Sequence, residues 1–337
     1  MNAVVALLAA ALMYVIIYAI LSIGLNLQYG VTGVVNFTYY SFVAIGAFIA
    51  GVTSLGHPPA GSGETYILAW TLPFPIPIVA AAIAAGFFGG LLALTAFRRL
   101  RSDYLAITTL CAGTVAFDIV NNTTGLFNGP NGIYGVATPL ASRLNVPPQN
   151  DFLIMIPIGL VLLASVWWLA HCIDLSPYGR SLRAVRESRD AAEAFGKDTF
   201  RLQLKVMVLG CVIAGIGGAL TVEFVGAFNP SAFETVETFV VFSAVILGGP
   251  GNNLGVVLGA VLVQGVIIQG SLYLPAFANQ ELVPAIRNSV IGLMVILVLY
   301  FRPQGLVPET RPRLGLVSRR AKRGGPSGAT EADGGEG

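Results

Sequence analysis

The chain has 337 residues, of which 55% belong to the hydrophobic set AVILMFWYC and 11% are charged, and its mean hydropathy is +0.76. Soluble domains carry about 25% charged residues, so this chain has too few to cover a water-facing surface. The same figures exclude a disordered chain, a coiled coil and a secreted disulfide scaffold, and the net charge of +2 gives no sign of nucleic-acid binding. The sequence therefore predicts an all-α polytopic membrane protein.

Apolar windows long enough to span a bilayer, about 20 residues each, recur along the chain. They predict about nine transmembrane helices, with a range of eight to ten, because the joins near residues 28–33 and 248–255 can be divided in more than one way. The predicted spans are residues 4–25, 31–52, 76–97, 104–121, 152–171, 206–228, 238–254, 255–273 and 283–301.

The orientation follows from the basic residues, because cytoplasmic loops of membrane proteins are rich in Lys and Arg. All but two of the 19 basic residues, Arg143 and Arg287, fall at residues 98–101, at residues 174–205 or in the tail. All three groups are therefore predicted to be cytoplasmic. Three spans precede the first group, which places Met1 outside and the C-terminus inside.

The tail has a different composition from the rest of the chain. Residues 304–337 are rich in Gly, Pro and charge, so they are predicted to be disordered, and their basic run is expected to contact anionic lipid. The transmembrane domain is accordingly assigned to residues 1–303, and it contains a long cytoplasmic segment at residues 174–205.

No pattern typical of an enzyme or a metal site occurs in the sequence. The Gly196-Lys197 pair has Ala191 where a phosphate-binding loop needs its first glycine and Asp198 where it needs Ser or Thr. We therefore expect no catalytic residue, no metal and no cofactor in this chain, and any ATP and Mg²⁺ to be bound by partner subunits.

The segment 174–205 has the signals of short capped helices. Ser176-Pro177 predicts one helix start, Ser188 or Arg189 predicts a second helix that Gly196 ends, and Asp198 predicts the cap of the next span. The second helix would present Ala191, Ala192, Ala194 and Phe195 as an apolar knob that fits a groove of a soluble partner. The alternative is a charged loop that lies on lipid headgroups.

Several motifs resemble a known family. Asp190-Ala191-Ala192-x3-Gly196 looks like the EAA-x3-G coupling motif of bacterial ABC importer permeases, with Asp in place of the first Glu and without the later proline. The sequence LSPYGRSLRAVRE at residues 175–187 is similar to the branched-chain amino-acid permease family of the LivM/LivH type. The stretches GLNLQYG at 24–30, GVVNF at 33–37, RSDYLAITTL at 101–110 and GPNGI at 129–133 agree with this family. The stretches at 101–110 and 129–133 resemble the M type and VVNF at 34–37 resembles the H type, and we favour the M type.

The resemblance implies the rest of a transport machine. It implies a second homologous permease, two cytoplasmic ATPases and an extracytoplasmic solute-binding protein, in a bacterial inner membrane, with branched-chain or related amino acids as cargo. Urea or short amides are the alternative cargo, and a secondary transporter is the rival class. The residues that it implies for coupling to the ATPases are Arg183, Arg186, Glu187, Asp190, Ala191, Ala192, Glu193, Phe195 and Gly196.

A helix break near residues 24–33 is one candidate for the substrate pathway, because transporters bind solutes where helices are interrupted. The residues expected there are Gly24, Asn26, Tyr29, Gly30, Gly33 and Asn36. The glycine-rich residues 247–253 form a second candidate break. Close helix packing is the alternative explanation of these glycines, and an ordinary turn is a further alternative for the second break.

Two further groups complete the predicted site. Asp118 and Glu223 are carboxylates inside predicted spans, where a charge is costly and a functional role is the first hypothesis. The outer loop at residues 121–150, with Asn128 and Asn131, is the expected surface for the binding protein, and an ordinary polar loop is the alternative.

Overall fold

The computed structural model describes residues 3–56, 66–68, 70–99, 102–136, 150–234, 236–271, 282–302 and 304–309. The helices in chain order are α1 (Ala3–Asn26), α2 (Tyr39–Leu55), α3 (Ile76–Arg99), α4 (Ser102–Asn122), α5 (Thr124–Phe127), α6 (Phe152–Leu175), α7 (Pro177–Glu187), α8 (Arg189–Ala194), α9 (Thr199–Val225), α10 (Val236–Gly248), α11 (Asn253–Ala260), α12 (Gln269–Ser271) and α13 (Leu282–Phe301). Wider π-helical turns follow α1 at Leu27–Val31 and α11 at Val261–Ile268.

Within the described residues, seven helices are long and apolar enough to cross a membrane. They are Val5–Val31, Ile76–Phe97, Tyr104–Asn122, Phe152–Leu175, Thr199–Val225, Pro230–Gly248 and Asn253–Ser271. Two shorter apolar helices, Tyr39–Leu55 and Ala285–Phe301, lie at the other two predicted positions. The polytopic helical fold is therefore confirmed, whereas the number of about nine crossings stays a prediction.

The long helix α9 forms the centre of the bundle. It packs along α2 and α3, and the contacts depend on glycine: a Cβ on Gly218 would overlap the backbone of Val43, and one on Gly215 would lie 2.7 Å from the Ala81 carbonyl oxygen. Small residues allow helix backbones to approach closely in membranes. Gly226, with φ of 75°, ends α9, since its N–H bonds the Val222 carbonyl in the left-handed conformation that favours glycine.

A small antiparallel sheet closes one end of the bundle. Strand β1 (Ile133–Tyr134) pairs with β2 (Ala227–Phe228), with Ile133 opposite Phe228. Two 3₁₀ turns flank the sheet: one lies before β1 at Gly129–Asn131, and the other lies after β2 at Pro230–Phe233. The sheet fixes the loop after α4 onto the end of α9, the end that the sequence predicts to be outside.

The opposite end of the bundle carries α7, α8 and the first residues of the predicted tail. Residues 304–309, which were expected to be disordered, are instead packed: the Leu306 and Val307 N–H groups donate to the carbonyls of Leu247 and Gly248, at 2.8 and 3.0 Å. The reason is a turn after α13 in which Gly305 has φ of 73°. The rest of the tail (310–337), Arg101 and Arg143 lie outside the described residues.

Candidate functional site

The predicted caps of the segment 174–205 are all present. The Ser176 hydroxyl accepts from the Gly179 N–H at 3.1 Å, and Pro177 is the first residue of α7. Ser188 caps α8 through the Ala191 N–H, and the Asp198 carboxylate accepts from the Arg201 N–H at 3.0 Å to begin α9. Each cap satisfies a backbone donor that the first turn of a helix leaves free. The segment therefore forms two short helices rather than an irregular loop.

The end of α8 exposes an apolar surface, although one residue differs from prediction. Phe195 is 86% exposed, and Ala191 and Ala194 are exposed beside it. Ala192, which was predicted to belong to this knob, is 4% exposed. It faces the chain's own core because α8 rests on that side, so the prediction is wrong for Ala192. Gly196 has φ of 75° and ends the helix, as predicted.

The acidic residues of α8 have separate environments. Asp190 is exposed, and so is Glu187 at the end of α7. The Glu193 carboxylate pairs with the Arg189 guanidinium at 3.1 Å and also accepts from the Thr199 hydroxyl. The hydrogen bonds from Thr199 and Arg189 lower the pKa of the Glu193 carboxyl, because they favour its charged form. Glu193 therefore joins α8 to the start of α9.

Arg183 and Arg186 turn inward from α7. The Arg183 guanidinium lies 3.2 Å from the Asp174 carboxylate and 3.0 Å from that of Glu309, and the Arg186 guanidinium lies 2.6 Å from the other Glu309 oxygen. Arg186 also donates to the Gly30 carbonyl. Both side chains were expected to orient the surface that meets the ATPases; the structure instead places their charges between α7 and the transmembrane helices.

The chain is not interrupted across residues 24–31, where a helix break was expected; it stays helical there and ends its helix near Gly33. Helix α1 continues through Asn26 into the π-helical turn, so Gly24 is helical, and a Cβ on it would lie 2.8 Å from the Ile213 side chain. The helix ends only near Gly33, with φ of 76°, and irregular backbone follows to Thr38. Gly24 and Gly30 lie inside the continuous helix, and a Cβ on either would overlap a neighbouring group, as is typical of close helix packing.

Asn26 is fully buried and paired on both sides. Its amide NH₂ donates to the Asn253 side-chain oxygen at 2.9 Å, and its oxygen accepts from the Gly251 N–H at 2.8 Å. Asn253 in turn donates to the Asp174 carboxylate at 2.6 Å. These bonds connect the end of α1 to the start of α11 and the end of α6. The second predicted break, residues 247–253, is thus the turn between α10 and α11.

Asn36 is also buried and paired. Its NH₂ donates to the Gln28 side-chain oxygen at 3.0 Å, and its own oxygen accepts from the Thr38 N–H at 3.1 Å. The Gln28 amide donates further to the Met207 carbonyl at 3.0 Å. The network satisfies backbone and amide groups of the irregular segment. Tyr29 instead packs its ring edge-on against Phe242, with centroids 5.3 Å apart.

The two predicted in-span carboxylates are in opposite environments. Asp118 lies on the exposed side of α4. Glu223 is 1% exposed, and its Oε2 has no hydrogen-bond partner among the described residues. A buried carboxylate oxygen without a partner is costly, so Glu223 is the in-span group whose environment calls for a function.

The two asparagines of the outer loop also differ. Asn128 is 6% exposed, has a left-handed backbone with φ of 59°, and donates to the Gly132 carbonyl at 2.6 Å. It therefore shapes the loop. Asn131 is exposed at the tip beside Pro130. Residues 137–149 of this loop lie outside the described residues.

Sequence reasoning did not single out the partners of this site. Asp174 and Asn253 lie at span ends, where polar residues are common, and Glu309 lies in a charged tail. Only the three-dimensional structure brings them to Arg183 and Arg186. A weak signal was present for Asn253, because the predicted second break contained it.

The comparisons with known proteins extend over most of the chain. The family described as branched-chain amino acid transport system, permease component, matches residues 7–299. The chain is 30% identical to a high-affinity branched-chain amino acid permease protein LivM of Salmonella typhimurium, over 91% of this chain and 71% of that protein. It is 28% identical to a probable LivM of Methanocaldococcus jannaschii, over 90% and 94% of the two chains, respectively.

The H-type relatives are less similar. A LivH of Salmonella typhimurium is 26% identical, over 86% of this chain and 91% of that protein. No solved structure matches the chain. The family match and the LivM relatives confirm the resemblance to branched-chain amino acid permeases. The chain therefore belongs to the family of branched-chain amino acid transport system permease components.

Proposed function

We propose that this chain is the M-type transmembrane subunit of an ATP-driven importer that moves branched-chain or related amino acids into the cell. The family and the names of the LivM relatives support this cargo. The observation that carries the proposal is α8: a helix capped at both ends that exposes Phe195, with Ala191 and Ala194 beside it, at the end predicted to be cytoplasmic. A fixed apolar knob of this size fits a groove of a soluble protein.

The remaining subunits follow from the same reasoning. The chain has no phosphate-binding loop in its sequence, so two partner ATPases would bind ATP and Mg²⁺. Relatives named LivM and LivH both match, which supports pairing with a second, similar permease. An extracytoplasmic binding protein would dock on the outer loop, where Asn131 is exposed and Asn128 holds the loop's shape.

Coupling would run from α8 to the membrane through α7. Closure of the ATPases pulls α8, and α7 follows because only Ser188 separates the two helices. Arg183 and Arg186 then transmit the movement, since their guanidinium groups contact Asp174, Glu309 and Gly30. In this mechanism the two arginines act on the side of the segment that faces the helix bundle, and Phe195 acts on the side that is exposed to solvent.

The pathway assignment rests on the buried polar groups. Among the predicted residues Glu223 supports it best, because it is buried and its Oε2 has no hydrogen-bond partner among the described residues. Asn26 and Asn36 would line a pathway only if their present hydrogen bonds open during transport. Asp118 would meet cargo only at an interface with another subunit, since it lies on an exposed face.

The orientation can be tested by single-cysteine labelling. In a background without Cys111, Cys172 and Cys211, we expect Lys197→Cys to react with an impermeant maleimide only after the cells are permeabilised. Ala232→Cys, exposed near the small sheet, is the matched position at the other end and is expected to react in intact cells. Labelling of position 197 from outside intact cells would contradict the inward orientation.

The docking role of α8 can be tested at Ala191. We expect Ala191→Arg to remove most of the ATPase subunits from a pull-down, because a long charged side chain would enter an apolar groove and lose its hydration. Ala232→Arg, an equivalent change at the opposite end, is the control and is expected to retain them. Full recovery of the ATPases with Ala191→Arg would argue against α8 as the docking element.

The cargo is tested with the complete importer reconstituted in vesicles. We expect ATP-dependent uptake of labelled leucine, isoleucine or valine in the presence of the binding protein. Uptake of urea or acetamide instead of the amino acids would reassign the cargo. Amino-acid uptake driven by an ion gradient without ATP would replace the importer with a secondary transporter.

A further inference from the structure

The residues after the last helix form an ordered connection between two parts of the bundle. We define residues 304–309 as the strap. Its Leu306 and Val307 N–H groups donate to Leu247 and Gly248, and the Asn252 side chain donates to the Pro308 carbonyl at 3.0 Å. Two bonds thus attach the strap to the end of α10, and a third attaches it to the turn between α10 and α11. The strap lies beyond residues 7–299, the region that the family match covers.

The far end of the strap is attached to α7. The Glu309 carboxylate lies 3.0 Å from Arg183 and 2.6 Å from Arg186, one oxygen for each guanidinium, and its side chain is 16% exposed. The Arg186 contact is a charge-assisted hydrogen bond, a type about twice as strong as a neutral hydrogen bond, whereas the Arg183 contact is an ion pair. Glu309 is therefore the residue through which the strap holds α7.

The space around Glu309 permits little else. A Cβ on Gly251 would lie 2.9 Å from the Glu309 carboxyl carbon and 3.1 Å from an Arg186 nitrogen. The turn between α10 and α11 thus packs directly against the ion pairs. Two guanidinium groups and two carboxylates, those of Glu309 and Asp174, balance in charge. Removal of one carboxylate would leave a partly buried cation without its counter-ion.

We propose that the strap fastens α7 to the turn between α10 and α11, so that the two move as one unit when the ATPases pull α8. Glu309 is a positioning residue in this device. The inference rests on the proposed importer function. It adds that force reaches α10 and α11 through the C-terminal segment as well as through the hydrogen bond from Arg186 of α7 to Gly30 in the π-helical turn after α1.

The first test compares uptake with ATP hydrolysis in the reconstituted importer. We expect Glu309→Gln to lower the amino acid imported per ATP hydrolysed by roughly fivefold or more, the usual scale of coupling between sites. ATPase stimulation by the loaded binding protein is expected to remain, and Glu309→Asp to recover part of the ratio. Glu234→Gln, an exposed carboxylate at the opposite end, is the matched control. A native ratio in Glu309→Gln would overturn the proposal.

A folding defect is separated by a second variant. If Glu309→Gln accumulates poorly, the double variant Arg183→Gln/Glu309→Gln is made instead. It removes one positive and one negative charge, so that the Arg186 cation and the Asp174 anion remain and the net charge of the cluster is again zero. We expect this double variant to fold and to keep the low ratio of uptake to hydrolysis; a native ratio would again overturn the strap. Failure of the wild-type complex to import at all would refute the importer assignment instead, so the two failures are distinguishable.

Movement as one unit is tested by cross-linking. Asn252→Cys and Pro308→Cys, placed in the cysteine-free background, are joined by a short bismaleimide. Because the strap and the turn stay together, we expect uptake by the joined protein to equal that of the same protein before joining. Loss of uptake upon cross-linking would show that the strap must detach, and would overturn the proposal.

Discussion

Gly196→Pro is expected to abolish transport while the chain still inserts into the membrane. Gly196 has φ of 75°, which proline cannot adopt because its ring fixes φ near −65°. Its N–H also donates to the Glu193 carbonyl at 2.9 Å, and proline lacks this donor. The turn from α8 into α9 would therefore open, and the exposed Phe195 would lose its position. Uptake by cells, with surface expression measured in parallel, tests this result.

Gly196→Asn is the matched control for that variant. Asparagine tolerates the left-handed conformation better than other residues with a side chain, and a Cβ on Gly196 would meet nothing within 4 Å. We therefore expect Gly196→Asn to transport at close to the native rate. Native uptake by Gly196→Pro would show that the geometry of this turn does not matter for coupling.

Asn26→Leu is expected to destabilise the folded chain rather than to change transport by each folded complex. Leucine has no donor or acceptor, so the Gly251 N–H and the Asn253 side-chain oxygen would lose partners at 2.8 and 2.9 Å. Each buried group left without a partner costs ~1–3 kcal/mol, so the loss of two partners should lower the free energy of unfolding by ~2–6 kcal/mol. The melting temperature of the purified complex, together with uptake normalised to folded complex, measures both effects.

The control for Asn26→Leu is the same change on an exposed face. Asn122 lies exposed at the end of α4. Asn122→Leu is expected to change the free energy of unfolding by no more than ~0.5 kcal/mol, so the melting temperature should be nearly unchanged. A normal melting temperature for Asn26→Leu together with reduced normalised uptake would contradict the predicted structural role of Asn26. It would place Asn26 in the pathway, the role first expected from the sequence.

Local signals in the sequence predicted local structure well. Ser176, Ser188, Gly196 and Asp198 each cap or end a helix as expected, because a cap depends on side chains within three or four positions of one another. The apolar windows likewise located the long helices, since length and hydropathy are properties of a single segment.

The errors came from contacts between distant segments. Glycine at position 24 suggested a break, but the structure uses its small size for packing against Ile213. Ala191 and Ala192 are the same residue type, and only the placement of α8 on the bundle decides that the second is buried. Glu309 had no local signal at all, because its partners lie more than 120 positions earlier in the chain.

The position of these partners in the chain also sets an order of assembly during synthesis. Arg186 is made 123 positions before Glu309, a delay of roughly 6–25 s at ribosomal rates of about 5–20 residues per second. During that interval the emerging chain holds two arginines that lack one of their carboxylates. Closure of the bundle at this end must therefore be among the last folding events, after the final helix α13 has been synthesised. A chain that terminates before residue 309 keeps Arg183 paired with Asp174 but leaves Arg186 without the Glu309 carboxylate, which distinguishes an incomplete molecule from a finished one.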